Sequence, residues 1–359
     1  MRFPKSMWLA VSVLGFALGT TTLTFAQGTQ WQANHDAGWK AYQEGRFDEA
    51  EKLLRVAEKE ARTFGAKDPR LATTLDHMAW VLCAEGRSRD AEPLAKWALT
   101  WREKVLGAEH ADVLQSLNTL ACLYDAEGKG EEAEPIYKRA LGLAEKTNGP
   151  EHPNVAAILD NLATVAHLQQ REAEAEAYYK RALAIREKAP AAEQGFVSPT
   201  LFNLASLYLD EGKYAEAEPL YKRALAVREK TLGADHPDVA ASLDALGWLY
   251  FKEGKAEQAE PLIKRALAIF EKTLGPDHPD VAACLCKMTK VSSAKDQFSE
   301  AESCCKRAMA IYEKHGETET PGMVKALGDY ATLLKKTGRA AEAERAEARA
   351  KELGANASR

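Results

Sequence analysis

GKYAEAEPLYKRAL at residues 212–225 and GKAEQAEPLIKRAL at residues 254–267 are two copies of one pattern, set 42 residues apart. The same pattern appears as GRSRDAEPLAKWAL from Gly86 and GKGEEAEPIYKRAL from Gly128. Looser copies follow the same spacing: QREAEAEAYYKRAL from Gln170, DQFSEAESCCKRAM from Asp296 and a last one from Gly338. GRFDEAEKLLRVAE, from Gly45, stands one residue out of step. Self-similarity at a fixed period of this size marks a fold built by stacking one small unit.

Each unit reads as two helices. Leu243, Leu246, Gly247 and Tyr250 share one helical face, Glu253-Gly254-Lys255 breaks it, and Ala259, Ile263 and Ala266 line the next. Gly275 ends that helix, and Asp277-His278-Pro279-Asp280 supplies a cap and a first-turn proline for the following one. Glu218 precedes Lys222, and Glu260 precedes Lys264, by four residues, the order that supports an exposed helix face. Small residues recur at Ala121, Ala163, Ala205 and Gly247 on first helices and at Ala133, Ala175, Ala217 and Ala259 on second helices, where they let the pair approach closely. A helix pair of this length buries too little surface alone, so neighbouring pairs must supply the stability. Pro93, Pro135, Pro219 and Pro261 fall about one turn inside the second helices and predict a bend or a late helix start.

The unit resembles a tetratricopeptide repeat in its longer form, similar to the repeats of kinesin light chains. The resemblance rests on Leu204, Ala205, Tyr208, Ala217, Tyr221 and Ala224, and on the linkers LGADHPDVA from Leu232 and LGPDHPDVA from Leu274. It implies an all-α, right-handed α-solenoid of about eight helix pairs over residues 27–350, whose first helices line a concave groove for a peptide or protein. In light-chain-like repeats an Asn-Asn-Leu-Ala stretch holds the partner's backbone. Here Asn161 and Asn203 keep the second asparagine, while Thr119, Ala245 and His77 replace it.

The expected groove residues are Asp76, Trp80, Asn118, Asp125, Asp160, Asn161, Phe202, Asn203, Asp210, Asp244, Trp248 and Phe251. Aromatic rings beside amides and carboxylates suit peptide binding, and the acids favour a basic partner. His110, His152, His236 and His278 recur with the period, so they are spread along the chain, as capping or packing residues rather than as a metal cluster. No Walker loop, H-E-x-x-H or G-x-S-x-G stands in the sequence, so no catalytic residue, cofactor or metal is expected.

The net charge is -5, with 46% hydrophobic and 28% charged residues, a globular composition that does not favour nucleic acid. Arg2 and Lys5, the apolar run Met7 to Leu18 and Thr24-Phe25-Ala26 read as a cleaved signal over residues 1–26. The mature chain is then exported, periplasmic or extracellular, and keeps no membrane span. Six cysteines follow: Cys83, Cys122, Cys284, Cys286, Cys304 and Cys305. Cys284 and Cys305 lie in the two helices of one repeat, so both a bridge and small buried thiols are open readings. From Gly338 a polar capping helix is expected, with a frayed end over residues 351–359. The expected function is a non-enzymatic scaffold or adaptor, with a self-assembling structural protein or a regulatory subunit of a separate enzyme as alternatives.

Overall fold

The structure, a computed structural model, describes residues 28–188, 196–316 and 320–357. The expected signal over residues 1–26 lies outside the described residues. Sixteen helices and no strand are found among the described residues, in consecutive packed pairs.

They form two units. The first holds four hairpins: α1 (Gly28–Gln43) with α2 (Phe47–Ala61), α3 (Arg70–Ala84) with α4 (Ser88–Leu106), α5 (Ala111–Ala126) with α6 (Gly130–Asn148), and α7 (Pro153–Leu168) with α8 (Glu172–Lys188). The second holds α9 (Val197–Asp210) with α10 (Tyr214–Leu232), α11 (Pro237–Lys252) with α12 (Ala256–Leu274), α13 (Pro279–Ala294) with α14 (Phe298–Lys314), and α15 (Pro321–Lys336) with α16 (Ala340–Ala357). The last helix thus continues through residues 351–357, where a frayed end was expected.

The turn inside each hairpin follows from backbone chemistry. Gly128 and Gly254 take left-handed φ values of 73° and 78°, which glycine adopts without steric cost. The Lys129 N–H then reaches back to the Tyr124 carbonyl at 2.8 Å and closes the helix end. In the looser copies Gln170 and Asp296 hold the same turn at φ 59° and 58°, a left-handed conformation that aspartate tolerates better than most residues. Between hairpins, the Nδ1 atoms of His110, His152, His236 and His278 accept the N–H two residues on, at 3.1–3.2 Å. These four histidines are helix caps.

The small residues sit where the helices cross. Ala121, Ala163 and Ala205 on first helices, and Ala133, Ala175, Ala217 and Ala259 on second helices, have no exposed surface. A Cβ on Gly247 would lie 2.6 Å from Ile263 Cγ1 and 3.2 Å from the Ala259 carbonyl. Around these crossings run apolar clusters shared by successive hairpins, such as Leu54, Met78, Leu82, Ala95 and Leu120, drawn from α2 to α5.

The prolines do not delay the helices. Ser88, Gly130, Tyr214 and Ala256 open them, and Pro93, Pro135, Pro219 and Pro261 lie inside. Each proline is exposed, so the carbonyl it leaves without a partner faces water, which meets its hydrogen-bonding need. All six cysteines are unbridged. The thiols of Cys284 and Cys305 donate to carbonyls of different neighbouring helices, Ile263 on α12 and Ala326 on α15.

Two glycines on second and first helices should respond with opposite signs to the same change. Gly247→Ala should destabilise by about 1–3 kcal/mol through overpacking. Gly142→Ala, on the exposed face of α6 with open space around it, should stabilise by about 0.5–1 kcal/mol through helix propensity. Urea titration of both variants checks this, and equal effects would mean that the crossing is not tight.

Candidate functional site

The first helices of successive hairpins touch one another: α1 with α3 and α3 with α5 in the first unit, and α9 with α11, α11 with α13 and α13 with α15 in the second. Second helices reach each other by long side chains. Arg139 meets Glu103, Arg181 meets Glu145, Arg265 meets Glu229, Arg307 meets Glu271 and Arg349 meets Glu313, at 2.5–2.8 Å. The first helices are therefore the closely spaced inner layer of each unit, and the twelve expected groove residues lie on them.

Several of these residues already have partners. Asp76 has no exposed surface and is bound by buried Arg102 and by the Ser116 hydroxyl, which donates to it at 2.8 Å. Full burial raises its carboxyl above the ordinary range even against the pull of Arg102. Asp76 cannot touch a partner, and its expected groove role is corrected to a structural ion pair. Asp160, also buried, accepts from Arg186 at 2.5 Å. Phe202 packs edge-on against Tyr221, with the Arg228 guanidinium 4.8 Å from its ring centre. Asp244 accepts from Lys287 of the next hairpin.

These pairs share one register. Residues 76, 118, 160, 202 and 244 are equivalent on first helices, and residues 102, 144, 186, 228 and 270 on second helices. Where the second helix offers arginine, the first offers aspartate or an aromatic ring. Asn118 faces the Ala144 position, and Asp244 the Phe270 position, so Asp244 takes its cation from elsewhere. Three of the expected acids are thus already neutralised, which removes most of the charge that favoured a basic partner.

The other expected residues remain on the inner layer. Trp80 is half-buried and donates its indole N–H to Thr119 at 3.1 Å, tying α3 to α5. Asn118 and Asn203 are half-buried and their side-chain amides make no hydrogen bond among the described residues, whereas the Asn161 amide lies 3.9 Å from the Cys122 sulfur. Asp125 is half-buried with no cation beside it among the described residues, and burial pushes its carboxyl up to about 6. Asp210 is exposed at the end of α9. Trp248 and Phe251 stack with ring centres 5.1 Å apart, both half-exposed.

Lysines complete the inner layer of the second unit, and none was anticipated. Lys252 and Lys325 each place an ammonium group 5.8 Å from the Trp248 ring centre, and Lys290 meets Asp329 at 2.6 Å. Extending the register by 42 residues from Ala245 and Trp248 leads to Lys287 and Lys290, so the signal was in the repeat itself.

At the other end, Trp31, His35, His77, Trp39 and Tyr42 form a continuous stack with ring centres 4.0–4.8 Å apart. Trp31 is buried and its indole donates to Thr74 at 3.0 Å. The N-terminal rings are consumed within the first unit, so they offer little to a stacking second chain. Among the described residues no group of three potential ligands could hold a metal, and no helix is long and apolar enough to cross a membrane.

Models of the tetratricopeptide repeat match residues 124–188, 197–272 and 249–314, with a second such model over 71–112. Among solved structures, a putative kinesin light chain from Podosopora anserina with nearly identical TPR-like repeats is 27% identical. That match covers 57% of this chain and 97% of the other, at a TM-score of 0.50. BtubC from P. vanneervenii is 24% identical over 70% of this chain and 94% of its own, at a TM-score of 0.52. The apo quorum sensor NprR from B. thuringiensis is 15% identical, covers 93% of this chain and 89% of its own, and superposes at 0.72, a likeness of fold. No curated protein matches the chain.

The histidine stack carries a pH dependence. Burial holds His35 below its ordinary value despite Asp36, and holds His77 well below it, with His35 and Arg102 acting in the same direction. Unfolded histidines titrate near 6.5, so the unfolded chain takes up more protons as pH falls. The stability contributed by the neutral stack is present above that value and lost progressively below it. His77→Phe, which keeps the stacking, should shrink the fall in melting temperature between about pH 7.5 and about pH 5. An unchanged pH profile would mean that the stack tolerates charge.

Proposed function

Because the chain belongs to the tetratricopeptide repeat family, we propose that it is a non-enzymatic scaffold that holds a peptide or protein partner against its first helices. The observation that carries this reading is the surface left over after packing. Trp248 and Phe251 offer half-exposed rings, and Asn118 and Asn203 offer side-chain amides with no internal partner. Stacked rings supply contact area at small entropic cost, and free amides can bond a partner's backbone. The outer layer offers less, since its charges are spent on the arginine–glutamate ladder.

The scaffold works outside the cytoplasm in this reading, after removal of residues 1–26, and it needs no cofactor. Residues 27–350 act as the binding region, ending in the polar helix α16.

Affinity capture from an envelope extract tests this. The bait is the mature chain, run beside a variant carrying Asn203→Ala, Trp248→Ala and Phe251→Ala, with both checked for equal folding by circular dichroism. A protein retained by the parent and lost by the variant is the expected result. Equal capture by both would move the contact off the inner layer, and recovery of the chain alone would favour self-assembly.

A further inference from the structure

Two lysines on the inner layer of the second unit have no carboxylate within ion-pair distance among the described residues. Lys287 on α13 is occupied by Asp244 on α11, and Lys290 on α13 by Asp329 on α15. Lys252 and Lys325 are exposed, and among the described residues neither has a carboxylate within ion-pair distance. Yet both turn toward one indole. Lys252 ends α11, Lys325 lies near the start of α15, and each ammonium group stands 5.8 Å from the centre of the Trp248 ring. The π-face attracts each of these cations, and neither is neutralised by a carboxylate among the described residues. A carboxylate from a partner would meet either ammonium group without displacing an internal ion pair. Phe251, stacked on Trp248 at 5.1 Å, adds an apolar surface beside the two charges.

We propose that this surface seats an acidic segment of a partner protein. An apolar side chain lies against Trp248 and Phe251, and flanking carboxylates meet Lys252 and Lys325. This rests on inner-layer binding and adds its sign of charge: the partner for this unit is acidic, the reverse of what the aspartates alone suggest. Nucleic acid fits less well. Asp244 and Asp329 lie on the same strip, and a phosphate backbone needs a run of unopposed cations.

The test uses the full mature chain and two labelled peptides of equal length, one alternating Glu and Leu, the other alternating Lys and Leu. Binding is read by fluorescence anisotropy at low and at physiological salt. The Glu/Leu peptide should bind at least about tenfold more tightly, and more weakly as salt rises. Lys252→Glu with Lys325→Glu, both exposed positions, should reverse the preference without changing the melting temperature. Equal binding of both peptides, abolished by Trp248→Ala, would leave inner-layer binding standing and overturn the acidic preference. No binding of either peptide would overturn the preference and count against a peptide groove. Tighter binding of an oligothymidylate than of the Glu/Leu peptide would also overturn it.

Discussion

The hairpins of this protein depend on a close helix crossing held by alanine or glycine, with Thr289 on α13 as the exception among the described residues. The alanines at these crossings have no exposed surface, and at Gly247 even a methyl group would strike Ile263. Close approach brings the flanking leucines, valines and tyrosines of both helices into contact. It also narrows each hairpin enough for its neighbour to share the same apolar cluster. Burial shared in this way offsets the entropy of ordering a chain whose units are too small to fold alone.

With the crossing held constant, the two layers vary differently. Within each unit the outer layer repeats one device, an arginine reaching back to the glutamate of the preceding second helix: Arg139 and Arg181 in the first, Arg265, Arg307 and Arg349 in the second. In the earlier hairpins that position holds Val56 and Trp97, both exposed. The inner layer instead changes from hairpin to hairpin. One register holds Asp76 on Arg102, Asp160 on Arg186, Phe202 under Arg228, and Asp244 on Lys287. The inner variation changes how each hairpin pairs internally while the crossing beneath it stays fixed.

Much of this was legible in the residues. The period of 42 located all the hairpins, glycine placed the turns, and the histidine linkers behaved as caps. Those features are local, and local chemistry reads directly from neighbouring residues. The failures were all tertiary. Proline at residue 93 or 219 pointed to a bend or a late start because its exposure, which lets water meet the freed carbonyl, is a property of the folded chain. Asp76 looked available because its arginine lies 26 residues away on another helix. The same blindness hid the lysines around Trp248, since Lys325 reaches that ring from two hairpins further along.

The most direct measurement is site-specific photo-crosslinking in the producing cell, with a benzoylphenylalanine placed at residue 251 on the inner layer or at residue 222 on the outer one. Both sites reach solvent, since Phe251 is half-exposed and Lys222 is exposed. A discrete protein adduct from residue 251, absent from residue 222, is the result that inner-layer binding requires. Adducts from residue 222 alone would place the partner on the outer layer and contradict it.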